Sequence, residues 1–206
     1  TYHEEFAKVR RPAHPGSGIF VVGPTIIKHG TDDQRERFLR PGLRGDIIWV
    51  QGFSEPEAGS DLPSLRTRAE RDGDEYVVSG QKIWITNAHV ADKMMLLART
   101  TPLEQVKRKT DGLSLFFTDL DRSKIEHRLI PKMGRHAVGS NMLFINDLLI
   151  PEEDRIGAEG DGFKIILHGL NPERILLGAE AIGLGRVAIQ RAARYARERI
   201  VFDRPI

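Results

Sequence analysis

An α+β fold is predicted: an antiparallel β-sandwich or barrel over residues 47–155, flanked by α-helical segments at 1–46 and 156–206. Three observations predict it. Residues 47–155 carry short runs of period-two alternation with no helical stretch between them. The flanking segments carry helix-start and helix-stop signals and apolar positions at helical spacing. Gly, Pro and Asp punctuate one strand-like run from the next.

The elements follow in order. Residues 17–45 read as helical. Thr31-Asp32-Asp33-Gln34 is a capping box, in which Thr31 accepts from the Gln34 N–H and Gln34 reaches back. Pro41 is expected to stop that helix and Gly30 to end the one before it. Ile47 to Val50 is a short apolar run. Leu65, Thr67 and Ala69 alternate with Arg66, Arg68 and Glu70, as a half-buried strand requires. Asp72-Gly73-Asp74 is a turn, and Tyr76-Val77-Val78 returns as its hairpin partner. Further strands are expected at Lys82–Ile85, Met94–Arg99, Leu113–Asp119, Ile125–Ile130 and Met142–Leu149, with an exposed loop at Thr100–Asp111. Asn171-Pro172 reads as an N-cap followed by Pro at the first helical position. Ala188, Ala192 and Ala196 recur at i+4, opposite Arg191, Arg194 and Glu198. They mark an amphipathic helix of about 30 residues, about 45 Å long, which needs partners.

Composition narrows the function classes. The chain has 206 residues, 40% hydrophobic and 29% charged, enough apolar surface for a core. Its net charge of +2 is spread along the chain and gives no case for a nucleic-acid partner. With no Cys, disulfides, thiolate nucleophiles and Cys-based metal sites are excluded. The seven His, at 3, 14, 29, 89, 127, 136 and 168, share no metal-ligand spacing, so no metal is expected. The longest apolar runs, Ile19–Val22 and Met94–Ala98, fall far short of the ~18 residues of a membrane span. Thr1 to Glu5 lacks the basic and apolar regions of a signal peptide, and the absence of an initiator Met points to a processed product or a fragment. Gly183-Leu184-Gly185-Arg186-Val187-Ala188 matches a dinucleotide fingerprint but lies inside a helical pattern with no strand before it. Small residues for close helix packing are the expected reading there.

Two segments concentrate chemistry. Gly52-Phe53-Ser54-Glu55-Pro56-Glu57-Ala58-Gly59-Ser60-Asp61 is either an ordinary surface loop or one presenting hydroxyls and backbone N–H groups to a polar ligand. In Gly80-Gln81-Lys82-Ile83-Trp84-Ile85-Thr86-Asn87, Trp84 is either a core residue or an indole wall against a flat cofactor, with Thr86 as a donor.

Together these segments resemble the acyl-CoA dehydrogenase family of flavoproteins. The first resembles its S/T-E-P-x-x-G-S-D signature and the second its G-x-K-x-W-I-T-N segment. Gly23-Pro24-Thr25 to Gly30-Thr31, Phe144 to Pro151 with Gly157, and Glu198-Arg199 to Phe202 with Arg204-Pro205-Ile206 agree in order and spacing. The resemblance implies that 1–46 ends an N-terminal helical domain, that 47–155 is the middle domain, and that 156–206 begins a C-terminal helical domain. It implies FAD as cofactor, acyl-CoA as substrate, an electron-transfer flavoprotein as acceptor, and a homo-oligomer. It places the protein in the cytoplasm, or in the mitochondrial matrix if eukaryotic.

The resemblance also implies residue roles. Gln51, Phe53 and Ser54 would line the FAD site, and Trp84, Ile85 and Thr86 would flank the isoalloxazine. Ser60, Asn171 and Arg174 would meet the thioester-CoA. Arg199 would reach the FAD pyrophosphate of a neighbouring subunit, a task suited to a guanidinium fork. Asp203 departs from the family, which usually has Gly there. The implied reaction is α,β-desaturation, with a carboxylate removing the α proton and the β hydrogen leaving as hydride to the flavin. Glu173 is a candidate base, as in isovaleryl-type members; alternatively it only stabilises a helix start, and the base lies beyond Ile206. A flavin oxidase or monooxygenase on the same fold, and a non-catalytic CoA-ester-binding fragment, are the competing readings.

Overall fold

A computed structural model describes residues 18–206. Residues 1–17, which open the predicted helical segment 1–46 and include Thr1 to Glu5, lie outside the described residues. The chain divides into two compact units, 1–169 and 170–206.

In the first unit a π-helical turn, Gly18–Val22, runs into α1 (Gly23–His29). Gly30 ends α1 as expected, donating its N–H to the Ile26 carbonyl at 2.8 Å. The capping box forms in full, with both Thr31–Gln34 hydrogen bonds at 3.1 Å. It opens α2 (Asp32–Gln34), a π-helical stretch (Arg35–Leu39) and α3 (Arg40–Arg44). Pro41 does not stop this helix. It sits in the first turn of α3, where its ring suits the helical φ. The stop is Gly45, whose φ of +78° is cheap only for glycine.

Eight strands follow: β1 (Trp49–Gly52), β2 (Arg68–Asp72), β3 (Glu75–Thr86), β4 (Lys93–Arg99), β5 (Leu113–Asp119), β6 (Ile125–Leu129), β7 (Ser140–Pro151) and β8 (Arg155–Ile156). They form one sheet in the order β6-β7-β3-β2-β4-β5-β8, with β1 paired to β4. The period-two expectation holds in β2 and the residues before it. Leu65, Thr67 and Ala69 are buried, and Arg66, Arg68 and Glu70 are exposed.

Two expectations are corrected. The sheet is mixed rather than antiparallel: β1 runs parallel to β4, and β2 meets β4 through the parallel pair Arg68↔Arg99. The chain crosses over from β1 through the β2–β3 hairpin before returning as β4, so it arrives in the same direction. The sheet is also not a closed barrel, since its end strands β6 and β8 do not pair with each other. It bends over on itself instead. Ile125 and Ile145 from one end share a buried cluster with Met94, Leu96 and Phe116 from the other. Tyr76 and Phe116 meet edge-to-face within it, centroids 4.9 Å apart. Phe117 packs on the other face against Phe38 and Trp49, which docks the helical start onto β5.

A single 37-residue helix, α4 (Gly162–Glu198), leaves the first unit. Asn171-Pro172 does not start it; Pro172 lies inside. A proline in a helix interior costs about 3 kcal/mol. The helix is anchored upstream, where Ile165 and Ile166 are 4% and 0% exposed.

In the second unit, Ile175, Ile182, Leu184 and Ile189 are more than 60% exposed, as expected of a helix that needs partners. Gly183 and Gly185 are helical, so no dinucleotide loop forms, and no described atom approaches either one closely. The expected close packing is therefore not seen among the described residues. After Glu198 the chain makes a hairpin, β9 (Ile200–Val201) and β10 (Arg204–Pro205). Its turn residues, Phe202 and Asp203, have φ of 55° and 61°. Asp tolerates that region, which accounts for an Asp where the family usually has Gly.

Candidate functional site

The site begins where β1 ends. Phe53 and Ser54 carry the chain out of the sheet into a tight turn, closed by the paired bonds of Glu55 and Ala58 (2.9 and 3.0 Å) with Pro56 at its second position. β3 runs alongside, and the Ile83 N–H donates to the Ser54 carbonyl at 2.9 Å.

The sheet's alternation then breaks. Tyr76, Val78 and Lys82 are buried, so strict period two would turn Trp84 inward. The β3–β7 register shifts between Lys82 and Ile85, and Trp84 adopts a left-handed φ of 62°. This bulge advances the phase by one residue. Ile85 is buried in Trp84's place, and the indole is thrown out, 58% exposed. The core-residue reading of Trp84 is thus overturned. A bulky side chain at positive φ is strained, and such strain concentrates at functional sites. Asn141 helps hold it: its Nδ2 donates to the Ile85 carbonyl at 2.9 Å.

Gln51, Phe53, Ser54, Ile83, Trp84, Ile85 and Thr86 line one cavity of about 120 Å³. A pocket enclosing a whole ligand of drug size has roughly 300–1,000 Å³, so these residues form one wall of a larger site. The wall has a flat aromatic face at Trp84. It also has two hydroxyls, Ser54 and Thr86, that bond to no described side chain or backbone group. All six residues predicted for the cofactor in this region are therefore brought together. Trp84 offers a surface for a planar ring system and Thr86 a donor beside it, which fits a flavin.

Behind the wall lies a buried ion pair. Lys82 is wholly buried and donates to Glu55 Oε1 at 2.9 Å, the Leu97 carbonyl at 2.8 Å and the Phe53 carbonyl at 3.1 Å. All three ammonium protons are used. Glu55, 8% exposed, also accepts from the backbone N–H groups of Arg66 (2.6 Å) and Thr67 (2.9 Å). Burial pushes the Lys82 ammonium down to about 8, against the pull of Glu55. Burial pushes the Glu55 carboxyl up, but Lys82, Thr67 and Arg66 outweigh it and hold it below its usual value. Both groups are charged at neutral pH. Both residues lie within the two motifs, whose resemblance implies no role for them. The signal in the sequence is the parity of Tyr76 and Val78, which puts a lysine at an inward position, and a buried ammonium needs a carboxylate.

The other predicted residues fall elsewhere. Ser60 is exposed on the loop and is not part of this wall. Asn171, Glu173, Arg174 and Arg199 belong to the second unit. There Arg174 Nη1 donates to Asn171 Oδ1 at 2.8 Å, Glu173 is half-buried, and Arg199 is exposed where α4 gives way to the β9–β10 hairpin. Among the described residues no group of three or more His, Asp or Glu could hold a metal, and no helix is long and apolar enough to cross a membrane.

The described residues thus give an open mixed sheet with an exposed aromatic bulge and, later in the sequence, a long helix. The family model described as "Acyl-CoA dehydrogenase, middle domain" matches residues 51–148, and "Acyl-CoA dehydrogenase, C-terminal domain" matches 160–206. The chain belongs to the acyl-CoA dehydrogenase family. It is 41% identical over 165 residues to the acyl-CoA dehydrogenase FadE29 of Mycobacterium tuberculosis, covering 80% of this chain and 41% of that protein. It is 36% identical over 186 residues to the short-chain-specific acyl-CoA dehydrogenase of Clostridium acetobutylicum, covering 88% and 47%. The crystal structure of an acyl-CoA dehydrogenase from Geobacillus kaustophilus superposes with a TM-score of 0.80 at 32% identity, covering 92% of this chain and 50% of that one. The chain thus spans about half the length of the relatives it matches.

Proposed function

We propose that the protein is an FAD-dependent acyl-CoA dehydrogenase that desaturates an acyl thioester between its α and β carbons. One observation carries the reading: the bulge at Trp84 turns an indole outward beside the Thr86 hydroxyl, in a wall with Gln51, Phe53, Ser54 and Ile85. Bound FAD would supply the hydride acceptor. Trp84 gives the ring system an apolar face, and Ile85, turned into the core, anchors the backbone that carries the indole. Thr86 donates a hydrogen bond at the ring system's edge. Gln51 and Ser54 supply polar side chains where β1 leaves the sheet, and Phe53 lines the wall between them. Arg199 is assigned to the cofactor pyrophosphate of a neighbouring subunit in a homo-oligomer. Ser60, Asn171 and Arg174 are assigned to the acyl-CoA.

Glu173 is the proposed base for the α proton. An α C–H is a poor acid, so the carboxylate must be desolvated enough to be basic near neutral pH. Electrons would pass to an electron-transfer flavoprotein, and the reaction would run in the cytoplasm, or in the mitochondrial matrix if the protein is eukaryotic.

The test is anaerobic titration of the flavin-loaded protein with acyl-CoA esters, with Glu173→Gln beside the parent. The reading expects bleaching of the flavin band in the parent and its loss in Glu173→Gln. A parent whose flavin no acyl-CoA ester reduces would overturn the dehydrogenase assignment. Full reduction in Glu173→Gln would remove Glu173 as the base.

A further inference from the structure

A buried ion pair, Lys82 with Glu55, stands behind the proposed flavin wall, and the proposed reaction does not use it. The Lys82 ammonium is held at three points. One is the carbonyl of Phe53, a wall residue; one is the carbonyl of Leu97 on β4; one is the carboxylate of Glu55, the residue after Ser54. Glu55 in turn fixes the backbone of Arg66 and Thr67. Gly80 makes the approach of this segment to β3 possible. A Cβ there would lie 2.4 Å from Thr67 Oγ1 and 2.7 Å from Thr67 Cα. Among the described residues, the β3 backbone N–H that reaches the loop is that of Ile83, donating to Ser54. Phe53 and Ser54 thus form their half of the wall because Lys82 and Glu55 clamp both sides of them to β3 and β4.

We propose that Glu55 and Lys82 are positioning residues for the cofactor. They touch no face of the cavity, and they act by fixing the Phe53–Ser54 backbone against β3 opposite Trp84 and Thr86. This rests on the flavin reading of the wall. Two features make the pair more than general scaffolding. A salt bridge kept only for stability is poorly justified in a dry interior, where apolar side chains of similar volume do as well. Here, moreover, two of the three Lys82 bonds go to the turn that carries the wall. A wall loose by even 1 Å binds its ligand poorly.

The experiment measures two things in the parent, in Glu55→Gln and in Lys82→Met. The first is amide hydrogen exchange at Ile83 without flavin; the second is the Kd for FAD. Tyr76→Phe serves as control. It removes the hydrogen bond from the Tyr76 hydroxyl to Glu159, in the same strand but away from the wall. Glu55→Gln keeps the shape and can still accept a backbone bond, so it covers the case in which Lys82→Met fails to fold. The expected result in folded Glu55→Gln is Ile83 exchange faster by about tenfold or more and a Kd for FAD raised by a similar factor. Tyr76→Phe should leave both at parent values. Unchanged Ile83 exchange in folded Glu55→Gln would overturn the proposal, as would faster exchange with an unaltered Kd. If the parent takes up no FAD, the flavin reading fails by itself. The Ile83 measurement then still decides whether the pair fixes the loop.

Discussion

Lys82 Nζ stands 2.9 Å from Glu55 Oε1, with the lysine fully buried and the glutamate nearly so. Breaking such a pair on one side leaves an uncompensated charge. Lys82→Met is expected to destabilise the fold by about 3–5 kcal/mol. Glu55→Gln should cost less, about 1–3 kcal/mol, because the amide oxygen can still accept from Arg66 or Thr67. Denaturant unfolding of the two variants checks the order.

The same pair sets a pH dependence. Around it stand the carboxylate of Glu55, the ammonium of Lys82 and, at longer range, the guanidinium of Arg99. Glu55 is lowered on folding, so its contribution is present above the unfolded carboxylate pKa and is lost as pH falls through the folded value. Lys82 is lowered from 10.5 to about 8, so the unfolded chain binds the extra proton between these values. Its term therefore favours the fold most above 10.5 and is lost as pH falls through about 8. The stability gap between parent and Lys82→Met should widen in the parent's favour from pH 8 to 10.5. A flat gap across that window would contradict the burial of a titrating lysine.

Trp84 separates stability from function. Its left-handed φ of 62° carries a strain of order 1–3 kcal/mol for a non-glycine residue. Trp84→Gly should therefore leave the unfolding free energy unchanged or raised, while weakening flavin binding. Most large-to-small changes at an aromatic lower both.

Gly80 faces Thr67 with no room for a methyl group. Gly80→Ala is expected to destabilise by about 1–3 kcal/mol through overpacking, read as a lowered thermal midpoint.

Local signals with one physical meaning were legible in the sequence. The Thr31–Gln34 capping box and the Asp72-Gly73-Asp74 turn depend on neighbours within four residues, and both formed. Signals with two meanings were decided by distant contacts. Pro41 fits a first turn as well as a stop. Asn171-Pro172 resembles a helix start, yet the helix already runs from Gly162 and continues through it. The parallel pairing of β1 with β4 lies in the connection rather than in either strand. The motifs drew attention to Trp84 and Thr86, but the bulge that turns the indole outward breaks the alternation used to read strands. Lys82 is legible by its inward parity, which calls for a buried carboxylate, and Glu55 of the other motif is the one that meets it.

The central claim is that the wall around Trp84 is a flavin site. Its most direct measurement is titration of the protein with FAD, followed through tryptophan emission. Of the two tryptophans, Trp49 is 7% exposed and Trp84 58%. FAD should quench the solvent-exposed, red-shifted component saturably, and Trp84→Phe should abolish that quenching while keeping the Trp49 signal. Saturable quenching that survived unchanged in Trp84→Phe, or none at all in the parent, would contradict the account.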